Sequence, residues 1–189
     1  ITSTENLIQG DIGNNILVGT DSNDRIEGSK NPTDRFQDGY DILEGGKGDD
    51  VLIGGTNKSS VGGYIIDLYR FNDDSGDDVV IGFLVDGTQG YPGSSYYDRL
   101  EIVKGINSSS INSAQDILGT AVDNEDGWAV LDLGSGNTIT LHGVSKSELN
   151  AKHFHILPET TNLIQGTIDG YNYSGDDILV GTDANDRIE

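Results

Sequence analysis

The plainest alternation of apolar and polar positions lies in the second half of the chain. Arg99 to Val103, Trp128 to Leu133 and Asn137 to Leu141 alternate as half-buried strands do. Gly134-Ser135-Gly136-Asn137 stands between the last two and signals a hairpin turn. Ser145-Lys146-Ser147-Glu148 has the form of a capping box, which predicts a short helix from Lys146 to about Lys152. His153 to Leu157 then reads as a closing strand. Tyr64 to Phe71 and Asp78 to Phe83 read as earlier strands with larger residues. Further toward the amino terminus the apolar positions thin out to runs of at most three, as in Ile16 to Val18 and Val51 to Ile53, between Gly- and Asp-rich turns.

Those turns repeat. Gly45-Gly46-Lys47-Gly48-Asp49-Asp50-Val51-Leu52-Ile53 has the form G-G-x-G-x-D-x-U-x, where U is a large apolar residue. Gly10 to Val18 is a looser copy, with Asn15 at the Asp position and Leu17 as its apolar residue. Gly19 to Glu27 follows without a gap and carries Asp24 and Ile26. Gly28 opens a copy stretched by one residue that ends Asp34-Arg35-Phe36, and Gly39-Tyr40-Asp41-Ile42-Leu43 is a shortened one. Gly62-Gly63 leads to Asp67 and Tyr69, and Gly76 leads to Asp78 and Val80. A longer repeat overlies this one: Ile16 to Glu27 recurs as Ile178 to Glu189 with one Ser-to-Ala change, and Asn6 to Gly10 recurs as Asn162 to Gly166. One module therefore occupies about residues 1-158, and a second begins near Thr160.

Composition says what such turns need. The 189 residues carry 32 acidic and 11 basic side chains, a formal net charge of -21. That charge opposes compaction and lacks the basic footprint that nucleic acid requires. Hydrophobic content of 34% supports only a thin core, so a multivalent cation is the natural neutraliser. Glycines let six residues turn tightly with carbonyls pointing inward, and the Asp adds a carboxylate. Calcium takes about six to eight oxygens, which two stacked turns can supply. Cysteine is absent, excluding thiolate sites and disulfides. No apolar run approaches the roughly 20 residues of a membrane span. G-x-S-x-G, H-E-x-x-H and P-loop patterns are missing, and the paired carboxylates read as calcium ligands rather than an acid/base pair.

The repeats resemble the repeats-in-toxin family of haemolysins, serralysin-type proteases, alginate epimerases and giant adhesins. The later segment, with Asp67, Tyr69, Phe71, Gly76, Asp78, Val80, Asn137 to Ser145, Leu149 and Phe154, is similar to the region that follows the repeats there. The resemblance implies an all-β fold, a right-handed parallel β-roll with several Ca2+ ions between turns stacked 18 residues apart, extended by a strand-rich segment with one short helix. It implies three parts: the roll over 1-83, a strand-rich continuation over 84-158, and the start of a tandem module over 159-189. The oxygen donors would come from Gly10, Asn15, Gly19, Asp21, Asp24, Gly28, Asp34, Gly39, Asp41, Gly45, Gly46, Gly48, Asp50, Gly63, Asp67, Gly76, Asp78, Asp177 and Asp186. Asn15, with a neutral oxygen only, should make a weaker site.

It also implies a non-catalytic module of a larger secreted bacterial protein, with calcium and neighbouring modules as partners. An extracellular polysaccharide is a further candidate partner, for which Trp128 and Tyr91, Tyr96 and Tyr97 are the aromatic candidates; core and loop roles are the plainer reading of these residues. His153 and His155, two apart on the expected strand, could chelate a metal, but ordinary structural roles suit them better. The tail over 160-189 holds only two turns, one coil, and should be disordered alone unless it stacks on another roll in the same or a neighbouring chain.

Overall fold

A computed structural model of the chain describes residues 6–29, 39–55, 66–86, 96–158, 177–180 and 187–188. Eight strands follow one another as β1 (Asn6–Gln9), β2 (Asn15–Val18), β3 (Asp24–Glu27), β4 (Ile42–Glu44), β5 (Val51–Ile53), β6 (Leu68–Phe71), β7 (Asp77–Ile81) and β8 (Arg99–Val103). They are dealt alternately to two sheets. Odd-numbered strands pair in parallel in one sheet and even-numbered strands in the other. Each glycine-rich turn therefore carries the chain across from one sheet to the other.

The expected spacing of 18 residues holds for the first step only. Ile8 lies opposite Ile26, but Ile26 lies opposite Leu52 and Leu52 opposite Val80. In the second sheet Ile16 lies opposite Ile42, Ile42 opposite Leu68, and Tyr69 opposite Leu100. The reason lies in where the extra residues go. The connections 28–41, 54–67 and 82–98 are long, and their described ends, 28–29 with 39–41, 54–55 with 66–67 and 82–86 with 96–98, are all on one side of the roll. The connections 19–23, 45–50 and 72–76, on the other side, stay short. Length added outside the strands leaves the inward pattern of apolar residues in register.

The core is thin, as a single apolar residue per nonapeptide demands. Ile8, Ile26, Leu52 and Val80 line one sheet and Leu17, Leu43, Tyr69 and Leu100 the other, all fully buried. Tyr69 fills a position that Leu holds in earlier coils, and its hydroxyl accepts a hydrogen bond from the Gly54 amide at 3.1 Å. Leu52 sits between Ile26 and Val80 at the middle of its line. Leu52→Ala should cost about 2–5 kcal/mol, the usual range for emptying a packed leucine site. Chemical denaturation of the calcium-loaded chain measures this, and an unchanged midpoint would contradict the packing.

Beyond β8 the same sheets continue. Helix α1 (Ala114–Thr120) is followed by β9 (Val122–Asp123), β10 (Ala129–Gly134), β11 (Asn137–His142) and β12 (Phe154–Leu157). Strand β11 pairs in parallel with β7 and forms the expected hairpin with β10, while β12 extends the second sheet beside β8. The core widens here, with Ile117, Leu131, Leu133, Ile139, Leu141 and Phe154 in one cluster.

The helix is not where the sequence pattern put it. The Ser145 capping box forms, with Ser145 N–H donating to the Glu148 carboxylate at 2.8 Å. It opens only a 3-10 turn, Lys146–Glu148, and a second follows at Ala151–His153. The α-helix starts after Ser113, whose hydroxyl accepts from the Asp116 amide and donates to its carboxylate. Ser-x-x-Asp is a capping pattern too, and its one fully buried residue, Ile117, anchors the helix against the sheet.

The tail takes the exception stated for it. Strand β13 (Asp177–Val180) pairs with β2 and β14 (Arg187–Ile188) with β1, both in parallel. Ile178 lies opposite Ile16, its own counterpart in the longer repeat. Strands β1 and β2 are the amino-terminal edges of their sheets, and a copy of the same sequence has the register to extend them.

Candidate metal centre

The Asp positions of the repeat stack into two ladders, one on each side of the roll. On the short-turn side Asp24 N–H donates to Asp50 Oδ1 at 2.7 Å, and Asp50 N–H donates to Asp78 Oδ1 at 2.9 Å. Asn6 extends this ladder by donating from Nδ2 to Asp24 Oδ1 at 2.8 Å. On the long-turn side Asn15 N–H donates to Asp41 Oδ1, Asp41 N–H to Asp67 Oδ1, and Asp67 N–H to Asp98 Oδ1. One oxygen of each of these carboxylates thus fastens a coil to its neighbour, and every one of them is buried.

The second oxygens differ from turn to turn. Asp50 Oδ2 and Asp78 Oδ2 are buried without a hydrogen-bond partner, as is Ser75 Oγ. A buried carboxylate oxygen left without a partner is costly. Burial pushes the Asp50 carboxyl up to about 7, against the pull of its hydrogen bond from Asp24 and with a smaller push from the Asp24 charge. Burial likewise pushes Asp78 up to about 8, against the pull of its hydrogen bond from Asp50 and with a smaller push from the Asp50 charge. Asp24 is provided for differently. Its Oδ2 accepts from Thr20 N–H at 2.6 Å and from Thr20 Oγ1 at 2.9 Å.

The turns themselves leave no room for side chains. A Cβ on Gly45 would stand 2.1 Å from Asp50 Oδ2, and one on Gly19 would stand 2.0 Å from the Gly45 carbonyl oxygen. Gly46 and Gly48 have φ of 94° and 105°, the left-handed region that glycine enters freely. Successive short turns are thus in close contact, with Oδ2 of Asp24, a carbonyl and Oδ2 of Asp50 at the seam. Among the described residues no three His, Asp or Glu side chains gather into a metal-holding group. An ion seated here would take one carboxylate oxygen from a coil and most of its remaining ligands from turn carbonyls. That donor set, all oxygen and partly anionic, fits a hard cation such as Ca2+.

The RTX calcium-binding nonapeptide repeat matches this chain in four copies, over residues 2–30, 37–57 and 171–189. The chain carries RTX calcium-binding repeats. Solved structures similar to it include the extracellular lipase LipA from Serratia marcescens, at 20% identity and a TM-score of 0.39, covering 78% of this chain. The chain spans only 20% of that lipase. Another is the AlgE6R2 subunit from the Azotobacter vinelandii mannuronan C5-epimerase, at 21% identity and a TM-score of 0.40, covering 87% of this chain and 98% of that one. No curated protein matches the chain.

The structure divides the RTX turn residues named from the sequence into two groups that do not meet. Gly19, Asp24, Gly45, Gly46, Gly48, Asp50, Gly76 and Asp78 lie on the short-turn side, and Gly10, Asn15, Gly28, Gly39, Asp41 and Asp67 on the long-turn side. Asp21 is exposed and pairs with Lys47 at 3.3 Å. Asp177 opens β13 opposite Asn15. Asp34, Gly63 and Asp186, and with them Tyr91, lie outside the described residues.

Asp98 is a ladder member that the sequence reading passed over. Its Oδ1 holds Asp67 and its Oδ2 accepts from Leu84 N–H at 2.8 Å. The signal was present, since Asp98-Arg99-Leu100-Glu101 echoes Asp24-Arg25-Ile26-Glu27, but of the three glycines of G-G-x-G-x-D only Gly93 stands at its place before it. The two histidines do not form a chelating pair. His153 is fully buried in a 3-10 turn with Nε2 2.9 Å from the Val85 carbonyl oxygen, whereas His155 stands on β12 beside Glu101. Trp128 is half-buried, not core, and packs against the exposed His142 ring, centroids 4.1 Å apart and planes tilted by 44°.

Proposed function

We propose that the chain is a calcium-folded accessory module of a secreted bacterial protein, a right-handed parallel β-roll whose ions lie between successive turns on the short-turn side. The observation that carries this reading is the pair of buried, partnerless oxygens Asp50 Oδ2 and Asp78 Oδ2. Gly45, Gly46, Gly48 and Gly76 shape the turns, and Asp24, Asp50 and Asp78 supply the carboxylates. The bound ion supplies positive charge where the chain has concentrated oxygen. The chain's own part is to hold each Asp by Oδ1, so that Oδ2 is fixed toward the turn carbonyls. Right-handed winding is supported by the general preference of parallel crossovers.

The role is mechanical rather than catalytic. Ions clamp coil to coil where the core is too thin to do so, and residues 159–189 begin a neighbouring module of the same kind. For an extracellular polysaccharide, the tilted Trp128–His142 pair is the surface on which a sugar ring would lie.

Asp50→Asn tests the calcium reading. It keeps the shape and the Oδ1 ladder but removes a charged ligand, so calcium affinity by calorimetry should fall about tenfold or more, since ligand charge sets affinity at such sites. An affinity equal to that of the parent chain would sink the assignment.

A further inference from the structure

The turn at residues 10–15 departs from the others in what fills it. Asn15 is fully buried. Its Nδ2 donates to the Gly13 carbonyl oxygen at 2.6 Å, within its own turn. The same nitrogen lies 3.4 Å from the Gly28 carbonyl oxygen of the next turn on that side, 3.2 Å from Asp41 Oδ1 and 3.4 Å from the Asp11 carbonyl oxygen. Asn15 Oδ1 in turn accepts from Asp11 N–H at 3.4 Å. One amide nitrogen thus touches carbonyls of two successive turns and the carboxylate of the next coil.

Those are the contacts a bridging cation makes. An amide NH2 presents two partly positive hydrogens and no lone pair to accept with, so it satisfies oxygens and repels cations. An ion entering this turn would need the Gly13 and Gly28 oxygens that the amide already holds. It would also have to turn the amide over, leaving buried N–H donors facing other donors or the ion. We infer that Asn15 takes the place of calcium in this turn: residues 10–15 form a metal-free coil end in which a side-chain amide bridges the layers. The inference rests on the calcium reading of the other turns. It replaces the weak site expected at Asn15 with none, although the RTX repeat match includes these residues.

The closing experiment counts ions on the full chain by native mass spectrometry at fixed free calcium. Asn15→Asp exchanges the amide for a carboxylate of the same shape, and should raise the count by one relative to the parent chain. Asp50→Asn, run alongside, should lower the count. In the calcium-loaded parent chain, the Asn15 side-chain NH2 should also give resolved proton signals that exchange at least a hundredfold more slowly than those of an exposed asparagine such as Asn150. An unchanged count for Asn15→Asp with a lowered count for Asp50→Asn would overturn the role of Asn15 and leave the calcium reading intact. Fast exchange of the Asn15 amide in the loaded parent chain would overturn it without recourse to any variant. No calcium on the parent chain at all would remove the calcium reading itself.

Discussion

Excess chelator at pH 8 is expected to abolish most of the β signal of residues 6–81 in circular dichroism, and millimolar calcium to restore it. Three quantities point the same way. The chain carries a net charge of -21, which resists compaction. Its roll buries one line of apolar residues in the first sheet and two in the second, the extra one being Ile16, Ile42 and Leu68, too little on its own to offset the entropy of ordering so many glycine turns. At that pH the Asp50 carboxylate is largely ionised, and ionising a buried carboxylate without a counter-charge costs several kcal/mol. Because the site is absent from the unfolded chain, calcium binding energy is folding energy, and loss of the ion should be cooperative with loss of the fold. A spectrum indifferent to chelator at pH 8 would refute this coupling.

The second large effect is a reciprocal dependence on pH. In the metal-free roll Asp50 titrates at about 7 and Asp78 at about 8, both raised by burial from the ordinary 3.8. The folded values exceed the unfolded one, so the folded metal-free chain holds more protons than the unfolded chain. The stability that these two groups contribute is fully present below about pH 4 and is lost as pH rises through 7 and 8. Acidifying the chelated chain to about pH 4 should therefore recover part of the β signal that was lost at pH 8. Where the metal-free chain is folded, calcium binding must expel the same protons. Affinity should fall by up to about tenfold per pH unit for each proton displaced as pH drops below about 8. Competition against a chelator at pH 8 and pH 6 reads this directly. A flat affinity across that interval, in a chelated chain that has regained its β signal at pH 6, would show that neither carboxylate faces the ion.

Both effects arise from residues whose class was legible in the sequence. Gly45 to Ile53 announces a turn, a ligand and a core residue in nine positions, and the structure makes it a short turn, a ladder rung and the buried Leu52. Strands β8, β10, β11 and β12 stand within a residue or so of where alternation puts them, because alternation is a direct image of one buried and one solvated face. The capping box at Ser145 is equally local and does form. It was too short of apolar contacts to extend into an α-helix, whereas Ser113 opened one because Ile117 had a core to enter.

What local pattern does not carry is the partner of each turn. Which coil lies on which depends on where the surplus residues leave the roll, and a chain can discard length on either side without changing its periodicity. Only the assembled sheets show that the long connections share one side, so that Ile26 meets Leu52 and Asp24 meets Asp50 at a distance of 26 residues. The same holds for the state of each carboxylate. Asp24 and Asp50 occupy one position of one motif, yet Thr20 satisfies the first, while nothing but the neighbouring coil's amide reaches the second. The sequence by itself determined the repeat, its acidic oxygen-rich turns and its thin core, since each is a property of a few adjacent residues. The tertiary structure decided the pairing of coils, the two ladders and the oxygens left over for an ion, since burial and hydrogen-bond supply belong to neighbours far apart along the chain.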